Sequence, residues 1–354
     1  MRVLVAMSGG VDSSVAAALL AEAGHDVVGV SMQLYDQRQG DVQFGTCCTI
    51  DDLHDARRVA AALGFPHYIV NLEREFAREV VEDFVREYAA GRTPIPCVHC
   101  NGQLKFATLV ERARAFGAEH VATGHYARVT FDAARGRYQL RRGADAAKDQ
   151  SYFLFSLTQA QLAAAAFPVG DLTKAAVREH ARRLGLRVAD KPDSHEICFV
   201  PSGDHAAFVE RRAPQLPTAG VLTDRAGRVV GRHGGVHHFT VGQRKGLGLA
   251  SSEPLYVLAI DARDQTVTVG PREALDRSAC TASRVNWIDG DAPGGPRRVT
   301  AQIRYRHREA AASVRTIDRD RVSVEFDEPQ AAVAPGQAVV FYEGDVVVGG
   351  GWIE

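Results

Sequence analysis

Apolar and polar positions alternate in two distinct rhythms along the first third of the chain. Residues 3–7 form a continuous apolar run, and Val15, Ala16, Leu19 and Leu20 then recur at helical spacing within residues 13–23. Residues 27–32 are again strand-like, 51–63 helical, 67–71 strand-like and 76–89 helical, and the pair 105–116 and 120–123 repeats the pattern. Short apolar strands alternating with amphipathic helices predict a parallel sheet covered by helices on both faces. Ligands of such sheets sit at the carboxyl ends of the strands.

A hairpin is predicted over 128–131 and 137–141, around residues 132–136, followed by two Ala-rich helices over 159–166 and 173–184. Past about Pro201 the texture changes. Gly and Pro become frequent, helical periodicity fades, and short Val/Thr/Ile/Tyr runs appear at 255–260, 266–269, 314–317, 322–326, 338–342 and 346–348. The expected organisation is an α/β catalytic domain over 1–200, a small β-rich linking domain over 201–272 and a β-barrel-like domain over 273–354.

Composition narrows this picture. A formal charge of −1 over 354 residues gives no whole-molecule attraction to nucleic acid, so RNA binding would need a local basic patch. No apolar run approaches the roughly 20 residues of a membrane span. The opening Met1-Arg2-Val3-Leu4-Val5 lacks the features of a signal peptide, so a cytoplasmic location is expected. In that setting the six cysteines, Cys47, Cys48, Cys97, Cys100, Cys198 and Cys280, point to metal or catalytic roles rather than to a disulfide framework.

The first candidate chemistry lies in Ala6-Met7-Ser8-Gly9-Gly10-Val11-Asp12-Ser13-Ser14, between a strand and a helix. Two glycines allow a tight turn and close backbone approach to an anion. The serines add hydroxyl donors, and the amides of the helix start face the ligand with the positive end of the dipole. A Walker A ending is absent, and so is Gly-x-Gly-x-x-Gly. The run resembles the PP-loop of enzymes that split ATP into AMP and pyrophosphate. The second candidate is Cys97-Val98-His99-Cys100, after the extended lead-in Thr93-Pro94-Ile95-Pro96, together with Cys198 in residues 193–199. Alone, Cys-x-x-Cys reads as a redox pair, half a metal site or chance, with Cys47 and Cys48 available as further ligands.

Taken in order, further blocks sharpen this. They are Ala122-Thr123-Gly124-His125-Tyr126-Ala127-Arg128, Lys148-Asp149-Gln150-Ser151-Tyr152-Phe153-Leu154, residues 240–248, Arg304-Tyr305-Arg306 and Pro335-Gly336-Gln337-Ala338-Val339. With the loop and both cysteine segments they resemble the bacterial tRNA-uridine 2-sulfurtransferase family (tRNA-specific 2-thiouridylase, MnmA/TrmU) over nearly the whole chain. The resemblance implies that Cys100 is the nucleophile and Cys198 carries a persulfide. It also implies ATP contacts by Ala6, Met7, Ser8, Gly9, Gly10, Val11, Asp12, Ser13, Met32 and Gly124. Lys148, Asp149, Gln150, Arg304 and Tyr305 match tRNA-contacting positions, and His125 and Gln337 match positions of tRNA selectivity. The implied partners are tRNAs for Lys, Glu and Gln and a persulfide donor, such as a cysteine desulfurase or a sulfur relay protein; Mg²⁺ would accompany ATP.

One departure stands out. Many family members carry Asn-Pro-Asp where this chain has Ile95-Pro96-Cys97. The polar contacts to the target base do not carry over, and three cysteines leave an iron–sulfur cluster at Cys97, Cys100 and Cys198 open. Basic residues at Arg297-Arg298, Gln243-Arg244-Lys245 and residues 304–308 are candidate phosphate contacts. The alternative function is another PP-loop adenylating enzyme, of the 2-thiocytidine iron–sulfur or amidotransferase-synthetase type. Such an enzyme would leave Cys198 and the β-rich half unexplained.

Overall fold

The computed structural model describes residues 1–35, 49–193, 197–200 and 203–354. Cys47 and Cys48, considered above as ligands, lie outside the described residues.

The first sheet is built from β1 (Arg2–Ala6), β2 (Asp26–Gln33), β3 (His67–Asn71), β4 (His120–Thr123) and β7 (Ala165–Ala166). Its order is β3-β2-β1-β4-β7 and every pairing is parallel. Side-chain alternation puts Leu4 into one buried cluster and Val3 and Val5 into another, and β2 divides in the same way, with Val28, Val30 and Met32 against Val27. Both faces are therefore cores, which is why these strands read as unbroken apolar runs. Helices Val11–Glu22 and Ile50–Leu63 follow β1 and β2 as the periodicity predicts.

Two helical expectations are corrected. The Ala-rich helix over 159–166 stops at Ala164, and Ala165 and Ala166 pair with Val121 and Ala122 as the fifth strand. Pro168 explains the stop, since it donates no amide and disfavours helical geometry at Phe167. The helix expected from residue 105 instead starts at Pro96, runs to His99, and widens into π-helical turns over Cys100–Phe106 before Ala107–Ala115.

The hairpin is present as β5 (Ala127–Asp132) and β6 (Arg137–Arg142), but it does not join the first sheet. The middle segment carries a helix, His205–Arg212, and a four-stranded sheet of β8 (Gly220–Thr223), β9 (Val229–His233), β10 (Tyr256–Asp261) and β11 (Thr266–Gly270). That helix escaped the sequence reading, although Asp204 caps it by accepting from the Ala207 amide. The last six strands are β12 (Asp276–Trp287), β13 (Arg297–Gln302), β14 (Ala310–Thr316), β15 (Arg321–Ala331), β16 (Ala338–Glu343) and β17 (Val346–Ile353). They run in the order β12-β15-β14-β13-β16-β17 and close through a β12–β17 pairing. Leu140 of β6 pairs with Val347 of β17, so the hairpin extends the barrel sheet. Arg128 and Arg141 fix that junction by donating to the Asp345 carboxylate.

Among the described residues no helix is long and apolar enough to cross a membrane.

Candidate active site

The loop between β1 and the helix Val11–Glu22 is cross-braced from within. The Ser8 amide donates to Ser13 Oγ at 3.1 Å, and the Ser13 and Ser14 hydroxyls donate to the Gly10 carbonyl at 3.2 and 2.9 Å. The amides of the helix's first turn have no intrahelical acceptor, which makes this end an anion site. Gly124, at the end of β4, lies flat against it. A Cβ there would come within 2.5 Å of the Ser13 nitrogen and 2.6 Å of the Asp12 carbonyl carbon. Ser8 is exposed, Ala6 and Gly10 are half-buried, and Met7, Val11 and Met32 are buried wall residues. Met7 is held by its amide on the Val30 carbonyl and by Ser31 Oγ on its own carbonyl.

Around this loop stands a network that sequence reasoning did not assign. Asp12 accepts from the Tyr126 hydroxyl at 2.8 Å and from Lys174 Nζ at 2.7 Å. Lys174 also reaches Asp193 at 2.8 Å, and Lys148 reaches it at 2.6 Å. Burial works to raise the Asp193 pKa, but the bonds from Lys148 and Lys174 outweigh it and hold the carboxyl at about 2. On the other side Lys191 donates to the Gly9 carbonyl, Asp52 and Asp55. Burial disfavours its charge, yet the two carboxylates push its pKa upward, so it is a fixed ammonium beside the loop. Asp52 also completes a capping box with Thr49.

Cys100 opens the π-helical turn and is buried, Cys97 is exposed, and Cys198 is half-buried. Cys100 belongs to the largest apolar cluster of the protein, and Cys198 packs against the same cluster. Each segment is anchored nearby. Phe199 sits among the rings of Phe76, Phe84 and Phe208, at 5.5, 5.1 and 5.4 Å. Thr93, upstream of Cys97, donates its amide to the Pro335 carbonyl, and its hydroxyl meets that of Thr240. Gln337 Nε2 donates to the Thr93 carbonyl at 2.9 Å. The cysteine segment is thus tied both to the middle segment and to the barrel. Nothing among the described residues supports the iron–sulfur alternative.

The residues matched to tRNA contact divide by environment. Asp149 faces inward, with its carboxylate accepting from Arg142, the Gly143 and Ser151 amides and the Ser151 hydroxyl. Gln150 accepts from the Tyr126 amide. His125 bonds Thr123 Oγ1 at 2.7 Å, and burial, aided by the Lys105 charge, lowers its pKa to about 3, so it is neutral. Arg304 is half-buried and has no ion-pair partner among the described residues; the Tyr305 ring packs at a tilt against Phe153, 4.4 Å between centroids. Arg306, Arg308, Arg244 and Lys245 are exposed and likewise unpaired there. Arg297 and Arg298 do not belong to that patch, because Asp289, Glu343 and Asp327 neutralise them.

Asp149→Ala removes a buried carboxylate from four donors and leaves Arg142 with one partner fewer. It is expected to lower the free energy of unfolding by about 3 kcal/mol in denaturant titration. Unchanged stability with weakened tRNA binding would instead make Asp149 a direct RNA contact.

Three family models together cover almost the entire chain. One described as tRNA methyl transferase HUP domain matches residues 1–202, a tRNA methyl transferase PRC-barrel domain matches 206–271, and an aminomethyltransferase beta-barrel domain matches 277–353. The chain is 53% identical over 357 residues to the tRNA-specific 2-thiouridylase MnmA of Geotalea uraniireducens, covering 100% of this chain and 95% of that one. It is 54% identical over 368 residues to the protein of that name from Solibacter usitatus, covering 99% of each.

Proposed function

The chain belongs to the tRNA-specific 2-thiouridylase MnmA family, and from that membership we propose that it replaces the C2 oxygen of the wobble uridine of tRNA with sulfur at the expense of ATP. An amide-like oxygen is a poor leaving group. Attack of that oxygen on the α-phosphate expels pyrophosphate and leaves an adenylated C2 from which AMP departs readily. The loop 8–14 binds the pyrophosphate end. Lys174 and Lys191 hold Asp12 and Gly9 in position before the nucleotide arrives. Mg²⁺ comes as the counterion of the phosphates, and Asp12 is the loop carboxylate that would reach it.

Sulfur arrives as a persulfide on Cys198, loaded by a cysteine desulfurase or a sulfur relay protein. Its terminal sulfur attacks C2 and AMP leaves. Cys100 then attacks the Cys198 sulfur, frees the thiocarbonyl and closes a Cys100–Cys198 disulfide that an external thiol reopens. A wobble base in an anticodon loop is exposed enough to be flipped at small cost, and the tRNAs for Lys, Glu and Gln are the proposed substrates. The observations that support this reading best are the braced phosphate loop and the placement of Cys100 in, and of Cys198 against, the same apolar cluster. Nucleoside analysis of tRNA incubated with the protein, ATP and a persulfide source tests it. 2-Thiouridine is expected only when both ATP and sulfur are present, and its formation without ATP would overturn the proposal.

Arg304, with no carboxylate partner among the described residues, is assigned to a tRNA phosphate. Arg304→Ala is expected to weaken tRNA binding about tenfold and to lower the slope of log affinity against log salt by about one. An unchanged slope would remove it from the RNA surface.

A further inference from the structure

Away from the phosphate loop and the cysteines, three ligand-type side chains converge in the middle segment. Glu210 lies on the helix His205–Arg212, and His237 and His238 form the helical turn Val236–His238 that packs on it. His237 Nε2 stands 3.2 Å from Glu210 Oε1 and His238 Nε2 stands 3.0 Å from the same oxygen. All three donor atoms lie within 4.8 Å of one another. No other group of this kind occurs among the described residues.

We propose that Glu210, His237 and His238 bind a divalent cation of the zinc class, which staples the helix to the barrel of the middle segment. Two neutral imidazoles and a carboxylate are a donor set that zinc accepts, leaving a further position for water. Donors bonded to one tetrahedral Zn²⁺ at the usual lengths are about 3.3 Å apart, close to the two separations observed. The site is built rather than incidental on one side. The His237 ring is buried, and it lies so close to Gly235 that a Cβ there would fall 2.3 Å from its Cε1. Gly235 also has φ of 142°, a conformation that glycine tolerates. The other side is open, since Glu210 and His238 are both partly exposed and give an ion a path in.

The placement suggests what the staple does. The helix and the His237–His238 turn both pack on the helix Glu82–Ala89, where His205 stacks on Tyr88 at 4.6 Å. That helix leads directly into Arg92 and Thr93, the tether of the Cys97–Cys100 segment. A cation here would stiffen the seam between the catalytic and middle segments without touching the reacting atoms.

The test uses the full chain, stripped with chelator and treated with N-ethylmaleimide so that thiols compete less. Co²⁺ and then Zn²⁺ are titrated into wild type, Glu210→Gln and the Glu210→Gln/His238→Asn double variant. Expected is about one equivalent of Co²⁺ with a visible spectrum typical of nitrogen and oxygen ligands, lost in both variants, and a melting temperature that Zn²⁺ raises only in wild type. Glu210→Gln retains an acceptor for the histidines, so it separates ion binding from hydrogen bonding even if the double variant folds poorly. Equal Co²⁺ uptake in wild type and Glu210→Gln, or no stoichiometric uptake by wild type, would overturn the proposal.

Discussion

Cys100→Ser and Cys198→Ser are each expected to lower 2-thiouridine formation by about a thousandfold or more, the scale on which loss of a covalent nucleophile acts. Both side chains lie at one apolar cluster, and a serine of nearly the same size keeps the packing, so neither change should unfold the protein. ATP and tRNA binding should survive, since the phosphate loop and the barrel are untouched. The two variants should nevertheless fail differently. Cys198→Ser cannot carry a persulfide, so it accepts no labelled sulfur from the donor and no added thiol restores it. Cys100→Ser still accepts sulfur and still attacks C2, but it stalls with tRNA joined to Cys198 through a disulfide. Dithiothreitol can cleave that bond, so it should release thiolated tRNA from Cys100→Ser and not from Cys198→Ser. Identical behaviour of the two variants toward dithiothreitol would refute the division of labour.

The parts of the fold that were legible are those whose burial is decided locally. Residues 3–7 and 27–32 read as strands because both faces of the sheet are cores, and the observed strands differ only at their ends. The hairpin of β5 and β6 was legible from the local turn at residues 132–136, but its destination was not. The pairing of Leu140 with Val347 joins residues some two hundred positions apart and leaves no mark on either segment alone. Ala165 and Ala166 show the opposite failure, where strong helical propensity yields to pairing with β4.

The candidate site was legible where a motif is contiguous, as in residues 8–14, and invisible where it is assembled from afar. One compositional signal was available. Only five lysines occur among the 42 Lys and Arg residues, and three of them, Lys148, Lys174 and Lys191, stand around the loop. Lys174 and Lys191 each stand between two carboxylates, where a compact ammonium fits and a planar guanidinium would not. The inward-facing Asp149 carries the converse lesson. Position in a motif does not reveal which way a carboxylate points, and here four donors hold it inside.

Gly124→Ala should disable the energy step while sparing the sulfur step. The added methyl would need space now held by backbone atoms, with the Ser13 nitrogen at 2.5 Å and the Asp12 carbonyl carbon at 2.6 Å. No rotamer can relieve contacts with a main chain, so either β4 or the start of the helix Val11–Glu22 must shift. β4 is held by parallel pairing on both edges, to β1 and to β7. The helix start is the softer partner, and it carries the amides that face the phosphates. Displacement of such groups by about 1 Å costs roughly a hundredfold in rate, and overpacking of this kind costs about 1–3 kcal/mol of stability. The variant should therefore show a small drop in melting temperature and a hundredfold loss of tRNA-dependent pyrophosphate release, while Cys198 still accepts labelled sulfur from its donor. If pyrophosphate release were normal, the loop would have to bind its nucleotide without the first-turn amides, and the assignment of residues 8–14 as the phosphate site would fall with it.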